Sequence, residues 1–383
     1  MRRYLILFAS ILSQMGLGGI YAWSAFSPAL RAEHGIGDGE AGTIFGVCIA
    51  SFTMSMVGAG MLQQRIGPRW VGMMGGALFG LGWWIASRSG GNFWLLLLGV
   101  GVVAGIGIGF AYVCPLSTCV RWFPHIKGLV TGLAVCGFGC GAILLTEIIE
   151  YGLQGGVPVL TLIHDVGLGI GVLVMVCSLF FALPPQSMLA PVVAPHQPIR
   201  RILVSRAFGR LFVGMFCGTF GGLLIIGNLM SMGLMTGLTA PHAALAIITF
   251  SVGNACGRIA WGIFFDRLGG LAIFVCLVAQ GITGLYLEWS TIYWNFAIAA
   301  GLVGFCYGGC FVLFAAQIAE TFGNEKIGLI YPYVFLAYGI AGLVGPSVGG
   351  WMMEAFGTTL YASGLLVGIA WLGAVVLRPA DWV

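Results

Sequence analysis

The sequence predicts an all-α membrane protein in which twelve transmembrane helices form two pseudo-symmetric six-helix bundles. Three observations carry that expectation. First, the 383 residues are 59% hydrophobic and only 7% charged, against about 25% charged in an ordinary globular domain. Twelve carboxylates and sixteen Lys or Arg residues could not cover a water-soluble body of this length, whereas lipid solvates apolar side chains directly. Second, apolar runs alternate with short polar punctuation along the whole chain, and a crossing uses roughly 20 apolar residues to span about 30 Å of hydrocarbon. Third, landmarks of the first half recur in the second.

Met1, Arg2 and Arg3 precede an apolar run that imitates a signal peptide. The run continues to about Leu30 without a clear small-residue cleavage site, so it is expected to be the first span. Punctuation then divides the first half into spans at 4–30, 41–63, 70–86, 93–119, 128–149 and 165–183, and the second into spans at 208–232, 242–265, 271–287, 294–319, 327–350 and 359–377. Residues 1–183 thus make an N-terminal bundle, 208–383 a C-terminal bundle, and the Pro-containing stretch 184–207, which ends in Arg200, Arg201 and Arg206, a cytoplasmic linker with a basic surface segment.

Charge gives the orientation. With the N-terminus inside, cytoplasmic segments hold Arg2, Arg3, Arg65, Arg69, Arg121, Lys127, Arg200, Arg201, Arg206, Arg210, Arg267, Lys326 and Arg378, while the opposite side holds Arg31 and Arg88. This bias obeys the positive-inside rule and supports the even span count, since one missed helix would scramble every later loop. The expected location is the bacterial inner membrane with both termini cytoplasmic. Basic residues scattered singly over loops give no nucleic-acid footprint.

The eleven cysteines lie in apolar stretches without a C-x-x-C, and they are expected to pack as small hydrophobes, with no disulfide framework and no metal site. An intramembrane enzyme would need a nucleophile and base, or a metal cluster, within the spans. His34, His125, His196 and His242 fall in loops or at span ends, and His164 with Asp165 is expected to cap the sixth span. No enzyme and no cofactor is expected.

The internal repeat is explicit. Gly60, Gln64, Arg65 and Gly67 correspond to Gly262, Asp266, Arg267 and Gly269; Lys127 and Gly128 to Lys326 and Gly328; Phe138 and Gly139 to Tyr338 and Gly339; Gly109 and Tyr112 to Gly304 and Tyr307. Parallel repeats of this kind place a substrate site near the midplane between halves and permit alternating access. The G-x-x-x-D-R-x-G element between spans 2 and 3 and again between spans 8 and 9 resembles the loop signature of the major facilitator superfamily. The resemblance implies gating roles for Arg65, Asp266 and Arg267, with Gln64 standing where the first copy would have Asp.

Span 1, with Gly18, Gly19, Tyr21, Ala22 and Trp23, and span 5, with Gly128, Thr131, Gly132, Gly137 and Gly139, resemble the oxalate/formate antiporter branch and its monocarboxylate transporter relatives. Span 8 adds a physical reason. Arg258 stands eight residues before Asp266, about 12 Å inside the helix end at 1.5 Å per residue. Burying Arg at the bilayer centre costs at least about 2.5 to 3.5 kcal/mol, so such a residue normally faces an aqueous path. Guanidinium grips a carboxylate through two parallel hydrogen bonds and stays protonated. A structural ion pair would need a buried carboxylate, and the spans offer none.

Asn254, four residues earlier on the same helix face, can donate to the same anion or orient the guanidinium. In many monocarboxylate relatives that position is acidic. The oxalate-exchanging relatives use a second cation from span 11, where this sequence has Tyr338. One cation suits one carboxylate. Tyr112 and Tyr307, at equivalent places in the repeat, are expected to face each other across a central cavity, with Tyr21 and Trp23 as aromatic wall. Trp70, Trp83, Trp84, Phe93, Trp94, Trp294 and Trp371 are expected at the interface or facing lipid.

The function expected is secondary active transport of a small monocarboxylate such as lactate or pyruvate, by alternating access coupled to protons, by a monomer in contact with membrane lipid. Oxalate/formate-type anion exchange and transport of a non-anionic solute are the alternatives within this fold, and a transport-inactive sensor is the alternative of another class.

Overall fold

The computed structural model describes residues 2–185, 199–290, 292–356 and 360–377. Among them no strand occurs, and helices account for twelve long segments. In the first half these are α1 (Arg2–Gly18), continued through a 3-10 turn at Gly19–Ala22 into α2 (Trp23–His34); α3 (Asp38–Ile66); α4 (Pro68–Ser87); α5 (Phe93–Leu96), continued through a π-helical stretch at Leu97–Ala104 into α6 (Gly105–Trp122); α7 (Lys127–Gln154); and α8 (Val159–Ser178). After the short α9 (Ile199–Leu203) come α10 (Arg206–Met235), α11 (Ala240–Leu268), α12 (Leu271–Glu288), α13 (Tyr293–Phe322), α14 (Ile327–Phe356) and α15 (Leu360–Val376).

Ten of the described segments are long and apolar enough to cross a bilayer on those grounds alone. The other two are α4, which carries Arg69 and five glycines, and α15, of 17 residues. Most of the linker expected at 184–207, Arg378 and the start of the last span lie outside the described residues. Within that linker, α9 buries Ile202 and exposes Arg200 and Arg201.

Local chemistry sets the helix ends. The Asn92 side chain accepts from the N–H groups of Trp94 and Leu95, and Ser205 accepts from Phe208 N–H at the start of α10, each satisfying donors that a helix start leaves open. The final glycine of each motif copy ends its helix with a positive φ, 85° at Gly67 and 56° at Gly269, a backbone region that glycine enters without a Cβ clash. Pro68 then begins α4 where a missing N–H costs nothing.

The sixth span differs from the sequence expectation. It starts at Val159, and its first N–H is met by both oxygens of Glu33, at 3.2 and 3.1 Å. His164 and Asp165 sit in the helix and pair with each other at 2.8 Å on an exposed face, so they do not cap it. A carboxylate supplied from the end of α2 outcompetes local caps because it complements the helix dipole as well as the orphan donor.

The chain forms two compact units. Unit 1 comprises Met1–Pro124, Leu133–Leu189 and Asn324–Pro332; unit 2 comprises His125–Gly132, Ala190–Gly323 and Tyr333–Val383. In unit 1, α4 packs on α6 and α8, α3 on α6, and α1 on α6 and α8. Its core includes Trp83, 1% exposed, stacked on Phe79 and edge-on to Trp23 and Phe26. Trp83 is therefore core and not interfacial, unlike Trp70, Trp84, Trp94, Trp294 and Trp371, which are exposed. In unit 2, α11 packs along α13, and α15 against α10 and α12. All eleven cysteines are outside any disulfide.

Candidate functional site

α11 is 29 residues long, about 43 Å of helix, with Arg258 ten residues before its last position. Its close packing on α13 comes from glycine. A Cβ at Gly257 would stand 2.0 Å from the carbonyl oxygen of Phe305, and one at Gly308 would stand 2.1 Å from that of Asn254 and 2.7 Å from its Oδ1. Backbones therefore touch, as small residues permit in membrane helices, and the Asn254 side chain lies over Gly308.

Arg258 is 2% exposed, and it is the single Lys or Arg in the buried class among the described residues, which contains no carboxylate. Its Nε donates to Asn254 Oδ1 at 3.1 Å. Its Cζ lies 4.9 Å from the centroid of the Phe311 ring, within the range at which an aromatic face attracts a cation. One contact fixes the guanidinium edge and the other its face, so the plane of the group is set. Of the two roles open to Asn254, the observed one is to orient Arg258.

Phe311 also gathers the tyrosines of unit 2. Tyr307 meets it edge-on at 5.1 Å and Tyr338 at 5.3 Å, while Tyr338 lies 4.9 Å from Phe335. Arg258, Asn254, Tyr307 and Tyr338 are thus assembled around one ring from α11, α13 and α14. Sequence reasoning missed Phe311. The available signal was its position one turn after Tyr307, on the same face of α13.

Tyr112 and Tyr21 belong to a second cluster, in unit 1. Phe138 on α7 is edge-on to Tyr112 at 5.3 Å and to Tyr21 at 5.3 Å, and Phe52 meets Tyr112 at 5.1 Å. Gln14 Nε2 donates to the backbone carbonyl of Tyr112 at 3.3 Å, leaving Gln14 Oε1 buried without a hydrogen-bond partner among the described residues. Trp23 does not join this wall. It is buried against Phe26 and Trp83, and its indole N–H donates to Ala41 O at 2.9 Å, so it serves the core.

The two motif copies differ. In unit 2 the Asp266 carboxylate accepts from the N–H groups of Gly128 and Leu129, both at 2.8 Å, at the start of α7. Lys127 there pairs with Glu320 at 3.6 Å. In unit 1 the corresponding Gln64 is exposed, and its neighbour Gln63 is the buried residue, donating to Ser117 Oγ at 2.6 Å. Arg121 donates to Glu325 O at 2.5 Å in the same unit. Arg65 and Arg267 are exposed.

Residues 6–271 match the family model described as Major Facilitator Superfamily. The chain belongs to the major facilitator superfamily. Among curated proteins it is similar to the uncharacterized MFS-type transporter YhjX of Escherichia coli, 27% identical over 89% of this chain and 86% of that protein. It is also similar to the oxalate:formate antiporter of Oxalobacter formigenes, 24% identical over 92% and 85%, and to apicoplast pyruvate carrier 1 of Toxoplasma gondii, 27% identical over 75% and 64%. Among solved structures, the fucose:proton symporter FucP of E. coli superposes with a TM-score of 0.74 at 16% identity, covering 97% of this chain and 98% of that one. That likeness establishes the twelve-helix fold. Membership in this family makes the chain an integral membrane transporter of small solutes and not an enzyme.

Proposed function

We propose that this transporter carries a small monocarboxylate of the lactate or pyruvate type across a bacterial inner membrane, by alternating access coupled to protons, with both chain termini cytoplasmic. The observation that carries the reading is Arg258, a cation buried in the middle of a membrane helix with its plane set by Asn254 and Phe311. A guanidinium offers paired donors in the geometry of a carboxylate, and in a water-poor site each such bond is strong. A guanidinium held at 2% exposure inside an apolar helix supplies the positive charge that an anion site within a membrane span requires.

Tyr338 and Tyr307 share the Phe311 ring with Arg258, and their phenols suit a hydroxyl, a keto oxygen or one carboxylate oxygen. Neither neutralises a second carboxylate, which argues for a monoanion over a dianion. Tyr112 and Tyr21 are the candidate contributors from unit 1. Asp266 holds the first turn of α7 in the conformer described, and its release, together with rearrangement at Arg65 and Arg267, is the proposed gating step.

A second reading, exchange of oxalate and formate, is favoured by the similarity to the oxalate:formate antiporter. Counterflow in proteoliposomes decides between them. Labelled lactate, formate and oxalate are compared with and without a pH gradient. Lactate counterflow stimulated by an inward proton gradient supports the first reading; oxalate–formate exchange indifferent to the gradient supports the second; no anion counterflow of any kind refutes both.

A further inference from the structure

Two thiols on α7 stand outside the anion site and the gate described above. Cys136 and Cys140 are both half-buried, and their Sγ atoms lie 3.8 Å apart. They are one helical turn apart, so their Cβ atoms stand about 5–6 Å from each other. A disulfide needs Cβ atoms about 3.5–4.5 Å apart, so direct oxidation would have to distort the helix. A bridging atom removes that conflict. Two sulfurs bound at about 2.3 Å to one pyramidal trivalent centre, at an angle of about 100°, stand about 3.5 Å apart, so the 3.8 Å separation here closes by small rotations about the two Cα–Cβ bonds.

No third His, Cys, Asp or Glu joins the pair among the described residues. The centre it suits is therefore one that two sulfurs complete. We propose that Cys136 and Cys140 form a bidentate thiol site for trivalent arsenicals that carry one organic substituent. In the reaction both thiols lose their protons to the oxide oxygen of the arsenical, which leaves as water. Two As–S bonds form, the bond from arsenic to oxygen breaks, and arsenic remains trivalent, so no oxidant or reductant is required.

The other thiols provide contrasts. Cys306 and Cys310 on α13 have the same spacing, but both are buried and closed to a reagent. Cys256 is exposed and has no thiol one turn away on its own helix.

The test is intact-mass analysis of the purified full chain after treatment with phenylarsine oxide, followed by a challenge with excess monothiol and then with a dithiol. Wild-type protein should retain one arsenical through the monothiol challenge and release it to the dithiol. Because the second As–S bond forms intramolecularly, retention should exceed that of a one-thiol adduct by roughly 10²-fold. Cys136→Ser and Cys140→Ser should each lose retention, while Cys256→Ser keeps it. Retention in either α7 variant, or its loss in Cys256→Ser alone, overturns the assignment, as does failure of the wild type to take up the reagent. Serine is close to cysteine in size, and a monodisperse elution profile for each variant confirms that lost retention is not lost folding. The readout does not depend on which solute is carried.

Discussion

Arg258→Lys is the most informative perturbation because it keeps the charge and removes the geometry. In the wild type, Nε is held by Asn254 at 3.1 Å and the plane lies over Phe311 at 4.9 Å. An ammonium has no second nitrogen with which to make parallel bonds to a carboxylate, and no planar group to be oriented by those contacts. The proposed anion therefore loses one of two charge-assisted hydrogen bonds. A hydrogen bond to a charged group contributes about 1.5–3 kcal/mol, and with Arg258 at 2% exposure solvent does little to screen it. At about 1.4 kcal/mol per tenfold, half-saturation should rise roughly 10- to 150-fold.

The assay is counterflow into proteoliposomes at matched protein content, using whichever of lactate, formate or oxalate the wild type carries. Arg258→Ala, which removes both bonds and the charge, should show no uptake, yet it should insert at least as well as the wild type because a costly buried charge is gone. Phe311→Leu separates positioning from charge. It keeps the guanidinium and removes its aromatic platform, worth about 0.5–2 kcal/mol, so half-saturation should rise by less than for Arg258→Lys. If Arg258→Lys stays within about threefold of wild type, or if well-folded Arg258→Ala still transports, Arg258 is not the anion's partner and the site must be sought elsewhere.

Three further outcomes are expected. Wild-type protein should be inhibited by lactate or pyruvate more than about tenfold better than by oxalate, and Tyr338→Lys should narrow or reverse that order in the same counterflow assay; a wild type that prefers oxalate contradicts the one-cation argument. Tyr307→Phe and Tyr112→Phe each remove a phenol whose hydrogen bond is worth about 0.5–1.5 kcal/mol, so each should raise KM about 2- to 12-fold with packing kept, and unchanged kinetics in both would return the pair to core packing. Asp266→Asn keeps one acceptor for the α7 N–H groups but loses the charge, and Asp266→Ala loses both, so Tm in detergent should fall in the order wild type, Asn, Ala, and an Ala variant as stable as the wild type would remove Asp266 from any latch.

The twelve spans were legible because lipid imposes a composition that no soluble fold tolerates, and Arg258 because a single cation deep in an apolar run stands out whatever surrounds it. Asn254 followed from helical spacing alone. Phe311 was invisible for the opposite reason. A phenylalanine in a chain with 26 of them acquires meaning only when α11 is brought against α13 and its ring lies under the guanidinium. Trp83 was misjudged on the same account, since nothing local tells a tryptophan facing α8 from one facing lipid; Gly167, at which a Cβ would stand 2.0 Å from the Trp83 Cβ, is the long-range partner that decides it. The start of α8 had a usable signal in Pro158, which precedes the helix, but its Glu33 cap comes from over a hundred positions away.

The repeat is near-symmetric in sequence and unequal in chemistry, and the inequality bears on how a gate built from it would behave. Both copies place a glycine against the start of a helix: a Cβ at Gly262 would stand 2.4 Å from Gly128 O in unit 2, and one at Gly60 would stand 2.3 Å from Gly328 O in unit 1. The backbone half of the contact is thus shared. The side-chain half is not. Asp266 supplies a full negative charge to the positive end of α7 and accepts from two of its N–H groups, an arrangement favoured by the helix dipole as well as by the bonds themselves. With Gln64 the first copy has no charge to offer, and the buried contact falls to Gln63, a neutral donor to Ser117 whose own Oε1 has no hydrogen-bond partner among the described residues. Charge-assisted bonds are about twice as strong as neutral ones. In the proposed transport cycle, therefore, the Asp266 copy resists opening more than the Gln64 copy does. Gln64→Asp should stabilise the contact at the start of α14 and slow turnover, whereas the same charge added at an exposed site outside the motif should do neither.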